Sequence, residues 1–221
     1  MRLQLDNLIE PAQLEILRQD LLSSEADWRP GRDTAGWHAR AVKNNRQLDR
    51  SSALHQRLTE SVASRVVGHP LLAAAVLPVR LHGLLFSRTG PGEGYGRHVD
   101  NAFMAEGRAD VSFTLFLSEP DSYSGGALML ESPDGEEEVR LPAGSAIVYP
   151  STLLHRVEPV SGGERLAAVG WIQSRVRDAD QRELLFDLDT ARRSLFHQEG
   201  KSEVFDLISR SYSNLLRRWG E

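Results

Sequence analysis

The sequence predicts a mostly β protein, an antiparallel sandwich or barrel with helices packed on its outside. Between residues 79 and 177, short apolar segments alternate with turns rich in glycine and proline, a spacing typical of antiparallel β-domains. Residues 1–78 and 178–221 carry apolar residues at three- and four-residue spacing, which indicates helices. We therefore expect one domain over residues 1–177, made of a helical part (1–78) and a β core (79–177), and a helical C-terminal segment over 178–221.

Composition is that of a soluble globular protein and excludes several kinds of chemistry. The 221 residues are 40% hydrophobic and 26% charged, which suffices for one substantial core. The net charge of −5 argues against a nucleic-acid-binding surface. Cysteine is absent, so disulfides, thiolate metal sites and cysteine nucleophiles are excluded. No run reaches membrane-spanning length and the N-terminus lacks the apolar stretch of a signal peptide, which predicts a cytoplasmic protein without membrane contact.

Three helical segments are predicted in the N-terminal part. The first, at residues 11–24, has apolar residues at helical spacing and begins with a proline, which fits the first turn of a helix. The second, at 51–67, ends at the Gly-His-Pro sequence of 68–70, and a short third helix is expected at 71–76. Residues 27–49 lack periodicity and indicate an irregular crossing.

The β core is predicted to begin with a strand at residues 79–87 and to end with one at 165–174. Segment 111–118 has apolar residues at alternate positions, so we expect a half-buried strand there. Glycine-rich stretches separate the strands. Further strands are predicted at 127–131, 138–141, 145–149 and 155–160, and turns at 89–94, 133–135, 142–144 and 161–163.

Two amphipathic helices are predicted after the β core, at residues 182–194 and 202–219. We expect them to pack against the outer face of the β-domain. Their apolar residues also leave a homodimer open as a second possibility, because exposed apolar patches often mark association sites.

A histidine and an aspartate two residues apart, His98 and Asp100, follow the glycine-rich turn. In an extended strand, alternate side chains leave the same face about 6.6 Å apart along the backbone, so the two could bind one ion. A catalytic metal needs a third ligand, and His155 is the candidate. Two histidines and one carboxylate are the composition of the facial triad of non-haem Fe(II) oxygenases, which keeps coordination positions open.

Arg165 lies ten residues beyond His155 and offers a cation to an anionic co-substrate. A bidentate 2-oxo acid would fill two open positions of the metal and leave one for dioxygen. The distal carboxylate of a 2-oxo dicarboxylate then needs a cation of its own, because an unpaired buried charge is very costly. A guanidinium can bind that carboxylate bidentately, which a lysine does less well.

The His-x-Asp pair is by itself a weak signal. Such pairs recur by chance, a single histidine is more often a hydrogen-bonded core or surface residue, and an arginine after two glycines is often a solvated loop charge. The order of the features favours a site: the pair follows a glycine-rich loop, the second histidine comes late, and the arginine opens the next strand.

Four motifs carry a more specific signal: YGRHVDN at residues 95–101, LPAG at 141–144, YPSTLLHRV at 149–157 and WIQS at 171–174. They resemble the PKHD-type hydroxylases, which belong to the prolyl-4-hydroxylase-like branch of the Fe(II)/2-oxoglutarate dioxygenases and whose bacterial members are associated with iron uptake. The similarity continues through LLFDLD at 184–189 and, more weakly, VKNN at 42–45. It therefore covers most of the chain.

The resemblance implies a double-stranded β-helix, or jelly-roll, fold and an Fe(II)/2-oxoglutarate dioxygenase domain over residues 1–177. The residues that it places at the site are His98, Asp100 and His155 as iron ligands, Arg165 on the distal carboxylate of 2-oxoglutarate, Tyr95 beside the co-substrate, and Trp171 on the cavity wall.

The implied activity is hydroxylation of an unactivated C–H bond in an amino-acid-like, peptidyl or small-metabolite substrate. The reaction consumes O2 and 2-oxoglutarate and releases succinate and CO2, and ascorbate would serve to re-reduce the iron. The chain departs from the family at Thr89, where an aromatic is usual, and at Arg97, where a more apolar residue is usual. Both departures are expected beside the pocket and bear on substrate identity.

Three other functions remain open at this stage. A non-catalytic jelly-roll sensor of iron or 2-oxoglutarate, or an iron-homeostasis binding protein, would use the same residues. A cupin-like isomerase or metal hydrolase is disfavoured by the single carboxylate ligand and by Arg165. A nucleic-acid demethylase is disfavoured by the acidic balance and by the lack of a basic, aromatic-studded stripe.

Overall fold

The computed structural model describes residues 1–23 and 25–221. Its α-helices are α1 (Pro11–Leu22), α2 (Ala53–Gly68), α3 (Pro70–Val76), α4 (Ala179–Glu199) and α5 (Glu203–Trp219). Its strands are β1 (Leu3–Leu5), β2 (Trp28–Pro30), β3 (Lys43–Asn44), β4 (Arg46–Leu48), β5 (Pro78–Thr89), β6 (Gly94–His98), β7 (Phe103–Met104), β8 (Gly107–Arg108), β9 (Val111–Phe116), β10 (Tyr123–Gly125), β11 (Leu128–Ser132), β12 (Gly135–Val139), β13 (Ala146–Pro150), β14 (His155–Val157), β15 (Val160–Gly163) and β16 (Arg165–Ser174).

Two antiparallel sheets pack face to face at the centre of the protein. The larger has the strand order β1-β13-β9-β16-β5-β4-β2, and the smaller has the order β12-β11-β14-β6-β3. Phe116 and Tyr149 of the larger sheet pack with Leu128 and Leu130 of the smaller one. Two-stranded ribbons, β7–β8 and β10–β15, extend from this centre. The arrangement is the jelly roll that the resemblance implies.

The N-terminal helices cover the outer face of the larger sheet. Leu17 of α1 and Val62 of α2 are fully buried, and they belong to one core with Phe113 and Leu115 of β9. Burying a large apolar side chain contributes about 1.5–3 kcal/mol. This helical layer therefore anchors the sheet from outside and leaves the opposite face free for the site.

The strand predicted at residues 111–118 is buried on both faces. All six residues of β9 are buried, so the prediction of a half-buried strand is wrong. The reason is that β9 lies between β13 and β16 in the sheet. Its outward residues meet the helices, while Ser112 and Thr114 turn into the space between the sheets.

Most other predicted elements are present with shifted ends. The helix predicted at 11–24 ends at Leu22, and Ser24 lies outside the described residues. The strand predicted at 155–160 is interrupted at Pro159, which has no amide hydrogen for a sheet ladder. The turn predicted at 161–163 instead forms part of β15 and pairs with β10.

The two C-terminal helices form an antiparallel pair at one side of the protein. Helix α4 packs on α3 and on α5. It buries Arg182, Leu185 and Asp189, whereas α5 has no buried residue. The prediction that both helices pack on the outer face of the β-domain is therefore wrong for α5, because α5 makes its main contacts with α4.

Candidate functional site

Adjacent strands of the smaller sheet bring the two predicted histidine ligands together. His98 ends β6, His155 begins β14, and the two residues pair across the strands. The ligand atoms of His98, Asp100 and His155 all lie within 4.8 Å of one another. The predicted triad therefore converges on one point between the sheets.

Asp100 reaches that point from outside a strand. The sequence predicted that His98 and Asp100 share one strand, but β6 ends at His98. The pairing stops there because the partner strand β14 begins at His155. The Ser112 hydroxyl on β9 donates a hydrogen bond of 2.6 Å to Asp100 Oδ2, and Ser112 Oγ lies 2.7 Å from Ser151 Oγ. Hydroxyls of the facing sheet thus hold the carboxylate that the loop presents.

Backbone carbonyls fix the orientation of both imidazoles. His98 Nδ1 lies 2.8 Å from the carbonyl oxygen of Gly96, and His155 Nδ1 lies 3.0 Å from that of Leu153. A carbonyl can only accept, so each Nδ1 carries a proton, and in the neutral imidazole this leaves the lone pair of Nε2 for a metal. Burial, reinforced by the neighbouring His155, lowers the pKa of His98 to about 4. His98 is therefore neutral at neutral pH, which is the form that binds a metal.

The donor set suits Fe(II). Two imidazole nitrogens and one carboxylate oxygen, without a thiolate, are the ligands of the two-histidine, one-carboxylate iron sites. Each ligand also has the outer hydrogen-bond partner that orients metal ligands in proteins.

Arg165 is a buried cation without a carboxylate partner among the described residues. It begins β16 and is 2% exposed, and its guanidinium lies over the Phe116 ring at 5.3 Å. Its Nε and Nη2 have no hydrogen-bond partner in this part of the chain, and burial lowers its pKa. A buried charge of this kind needs an anion, so the site fits the distal carboxylate of a 2-oxo dicarboxylate.

Three cavities that share lining residues border Arg165, the triad and the surface. A cavity of about 50 Å³ adjoins Arg165 and Thr114, one of about 60 Å³ is lined by the triad, and an outer cavity of about 320 Å³ leads out past His98 and Asp100. Tyr95 and Val169 line all three. The shared lining residues place the three cavities side by side.

Both aromatic residues that the sequence predicted at the site lie on these walls. The Tyr95 ring stacks on the His98 imidazole at 3.6 Å between centroids, and burial raises the pKa of Tyr95. Trp171 lines the outer cavity and also the cavity lined by the triad, which we call the chamber. Gly83, with a φ of +66°, lies under Trp171, and a Cβ there would stand 2.8 Å from the indole. This glycine lets the indole lie against the strand.

The two departures from the family have different positions. Thr89 lines the cavity beside Arg165, as expected. Arg97 does not lie beside the pocket: it points away from His98 along β6 and pairs with Glu131 on the exterior at 2.7 Å. The expectation for Arg97 is wrong because neighbouring strand residues face opposite sides of a sheet.

Sequence reasoning missed Lys43, which is 8% exposed and lines both the outer cavity and the cavity beside Arg165. Its Nζ donates to Thr34 Oγ1 at 3.2 Å and lies 5.0 Å from the Tyr95 ring centroid. Burial lowers the pKa of Lys43 to about 8, and the charge of Asp100 opposes that shift. No pattern of apolar residues marks a two-residue strand, so only the weak VKNN similarity pointed to it.

Comparisons with known proteins show the family and the fold. Residues 84–173 match the 2OG-Fe(II) oxygenase superfamily model, and residues 179–221 match the PKHD-type hydroxylase C-terminal domain model. A PKHD-type hydroxylase of Synechococcus elongatus is 56% identical, with 100% of both chains covered.

Two solved structures share the fold. A prolyl-4-hydroxylase of Pseudomonas putida aligns with a TM-score of 0.52 at 24% identity, covering 79% of this chain and 92% of that one. A prolyl hydroxylase of Trichoplax adhaerens, in complex with a peptide of hypoxia inducible factor, aligns with a TM-score of 0.55 at 17% identity, covering 83% of this chain and 86% of that one. At these identities the likeness establishes the jelly-roll fold.

We predict that Ser112→Ala weakens Fe(II) binding by about 10- to 100-fold, the usual effect of removing an outer partner of a metal ligand. The cause is loss of the hydrogen bond that orients Asp100. Calorimetric titration with Fe(II) under anaerobic conditions measures the change. Ser151→Ala, which leaves the Ser112–Asp100 contact in place, is the matched control and should have the smaller effect. Equal affinities of Ser112→Ala and wild type contradict the role given to Ser112.

Proposed function

This chain belongs to the PKHD-type hydroxylases, a family of Fe(II)- and 2-oxoglutarate-dependent oxygenases, and we propose that it binds iron through His98, Asp100 and His155 and 2-oxoglutarate through Arg165. The family makes the protein a 2-oxoglutarate-dependent hydroxylase that uses O2 and releases succinate and CO2. Family membership favours this catalytic role over the sensor or iron-homeostasis binding protein that the sequence left open.

The observation that carries the site assignment is the buried guanidinium of Arg165, whose Nε and Nη2 have no hydrogen-bond partner among the described residues. It adjoins the same run of cavities as the triad, and the described residues provide it with no carboxylate. Neither a structural metal site nor an isomerase site requires such a group. A 2-oxo dicarboxylate explains it, because one end can chelate the metal while the other carboxylate neutralises the arginine.

Each residue of the site has a definite task in this proposal. When bound, iron couples O2 activation and decarboxylation of 2-oxoglutarate to hydroxylation of the substrate. His98 and His155 present their Nε2 atoms, and Asp100 contributes the one carboxylate of the ligand set. Tyr95 lies beside the co-substrate, and Trp171 lies on the cavity wall next to the substrate. Together with Val169 they exclude bulk water from the chamber, which strengthens the electrostatic contacts inside it.

Ascorbate, the substrate and the cellular location complete the proposal. Ascorbate would re-reduce iron that oxidises without substrate.

The substrate is amino-acid-like, peptidyl or a small metabolite: the outer cavity of about 320 Å³ has room for such a group, and the fold neighbour from Trichoplax adhaerens holds a peptide. Among the described residues, no helix has the length and apolar character of a membrane span, and we propose a cytoplasmic location.

We also propose a division of the chain at residue 177. Residues 1–177 would form the oxygenase domain, with a helical part at 1–78 and a β core at 79–177, and residues 178–221 a C-terminal helical segment. The two family models support this division, since one ends at residue 173 and the other begins at 179. Helix α4 also starts directly after the proposed boundary.

A homodimer through α5 is a further part of the proposal. Val204 and Leu207 of α5 are 56% and 52% exposed, so this helix presents apolar surface that its own chain leaves uncovered. Helix α5 is acidic in its first turn and basic in its last, at Arg217 and Arg218. Antiparallel pairing with a second copy would place the acidic end of each helix against the basic end of the other, an arrangement that a two-fold interface permits. Charge complementarity thus favours a second copy as the occupant of this face.

We predict that the purified protein with Fe(II) and ascorbate slowly converts 2-oxoglutarate to succinate without substrate. His98→Ala, Asp100→Ala and His155→Ala should each abolish this turnover, because two ligands hold a catalytic metal poorly. Arg156→Ala is the matched control, since Arg156 neighbours His155 on β14 but pairs with Glu136 outside the chamber. Mass spectrometry measures the succinate released by each variant. Wild-type turnover in all three ligand variants would contradict the assignment of these residues as metal ligands.

Arg165→Ala is predicted to raise the 2-oxoglutarate requirement by roughly 10- to 100-fold, because a charge-assisted hydrogen bond contributes about 1.5–3 kcal/mol. Iron affinity should stay near the wild-type value, since Arg165 is not one of the clustered ligand residues. The KM for 2-oxoglutarate and an Fe(II) titration measure the two effects separately. An unchanged KM removes Arg165 from its role, and lost iron binding shows a structural defect instead.

Leu207→Glu is predicted to convert a dimer into a monomer, because it places a charge in the centre of the proposed α5 interface. Ile16→Glu on α1 is the matched control, since Ile16 is 53% exposed and Leu207 is 52% exposed. Size-exclusion chromatography with light scattering gives the mass of each variant. A monomeric wild type refutes the dimer, as does a dimer that survives Leu207→Glu.

A further inference from the structure

The ammonium group of Lys43 is a second buried cation at the site, and the proposed function does not use it. Its exposed fraction is 8%, and among the described residues it forms no ion pair. The Thr34 hydroxyl, 3.2 Å from Nζ, is its hydrogen-bond acceptor. A lysine ammonium has three hydrogens to donate, so one hydroxyl leaves most of its capacity unused.

The position of Lys43 is between the outer cavity and the cavity beside Arg165. Strand β3 holds it there by pairing Lys43 with Tyr95 of β6, and the ammonium lies over the Tyr95 ring. Tyr95 in turn stacks on His98. A group that binds to Lys43 from the outer cavity would therefore lie next to the metal centre.

The formal charges at the site leave the positive charge of Lys43 without a negative partner. On the proposed function, the two positive charges of the metal and that of Arg165 are offset by Asp100 and by the two carboxylates of 2-oxoglutarate. At the rim, Arg50 and Glu106 neutralise each other in an ion pair of 2.8 Å. One positive charge remains, that of Lys43, and an uncompensated buried charge is costly.

We propose that Lys43 binds an anionic group of the substrate, and that this group is a carboxylate. The inference rests on the proposed function, because the charge balance includes the metal and 2-oxoglutarate. A carboxylate matches the single excess charge, whereas a phosphate ester carries about −1.5 to −2 at neutral pH and would overcompensate it. The substrates that fit are therefore organic acids, including free amino acids and peptides with an acidic group at the reacting end.

The mouth of the outer cavity indicates what surrounds that carboxylate. Phe103 lines the cavity and is 70% exposed. This aromatic side chain suits an apolar body that extends outward from the anion. A suitable probe pair is 3-phenylpropionate and 3-phenylpropionamide, which share an apolar body and differ in charge.

The two lysines of the sequence, Lys43 and Lys201, make a direct measurement possible. Protein labelled with [13C]lysine and loaded with diamagnetic Zn(II) has two lysine side-chain signals, and Lys201, paired with Asp206 on the surface, is the internal control. Calorimetry with 2-oxoglutarate comes first and tests the proposed function by itself. The acid is then expected to shift the Lys43 signal saturably, while the amide leaves it in place and Lys201 does not respond.

Lys43→Met completes the test, with Lys201→Met as its control. We expect Lys43→Met to weaken binding of 3-phenylpropionate at least about tenfold, and to change the 2-oxoglutarate affinity less than about threefold, since one charged contact is removed from the substrate only. The Tm should not fall, because the variant removes an unpaired buried charge. A residue retained for stability would instead lower the Tm.

Other outcomes overturn the inference without touching the proposed function. A Lys43 signal that moves on addition of 2-oxoglutarate, with loss of that affinity in Lys43→Met, makes Lys43 a ligand of the co-substrate. Equal binding of acid and amide, or no response of Lys43 to the acid, removes it from anion recognition. Failure of the Zn(II) protein to bind 2-oxoglutarate at all counts against the proposed function itself and is seen in the first titration.

Discussion

The burial of charge between the two sheets is the constraint on which the rest of the site depends. An ionisable group in the protein interior must find a partner or lose its charge. The chain satisfies three such groups internally: carbonyls orient His98 and His155, and Ser112 binds Asp100. In the described part of the chain, the buried cations Arg165 and Lys43 form no ion pair with a carboxylate. On the proposed function, these two groups select the molecules that complete the site.

Side chains point alternately to the two faces of each strand, and this alternation makes the burial of charge compatible with a stable fold. On β9, Phe113 and Leu115 pack outward with the helices, while Ser112 and Thr114 face the chamber. Strand β16 begins with the buried Arg165 and carries Trp171 on the cavity wall. The same strands thus contribute stability on one face and chemistry on the other. Substitutions on the inward face can alter ligand preference while the helix-packed core stays intact.

Membership of the PKHD-type hydroxylases accounts for the reaction but does not specify the substrate, which on the proposed function enters the outer cavity. The relative from Synechococcus elongatus matches along its whole length, whereas the prolyl hydroxylase structures share the fold at 24% identity or less. Strands of the two sheets form the inner wall of the outer cavity, and part of its outer wall comes from residues 34–36 and 38–39 and from the β7–β8 hairpin. These outer segments lie outside the two central sheets, so they can vary without disturbing the triad.

The sequence by itself determined the β core and its flanking helices, and it predicted the three residues that cluster between the sheets. These follow from local periodicity and from motifs within single short stretches, such as His98 with Asp100 and His155 in its own motif. The sequence also predicted Arg165 as the cation for a distal carboxylate, from charge balance. It misplaced Asp100 on a strand and Arg97 beside the pocket, since a strand's end depends on where its partner strand begins.

Only the tertiary structure decided which polar residues meet at the site. Ser112 supports Asp100 from the facing sheet, and Lys43 enters from a two-residue strand that carries no periodic signal. The tertiary structure also left α5 on α4, with its apolar surface partly exposed. Contacts between residues distant in sequence depend on sheet pairing and layer packing. Local patterns of hydrophobicity do not encode these contacts, because the pattern of a segment is the same whichever other segment it packs against.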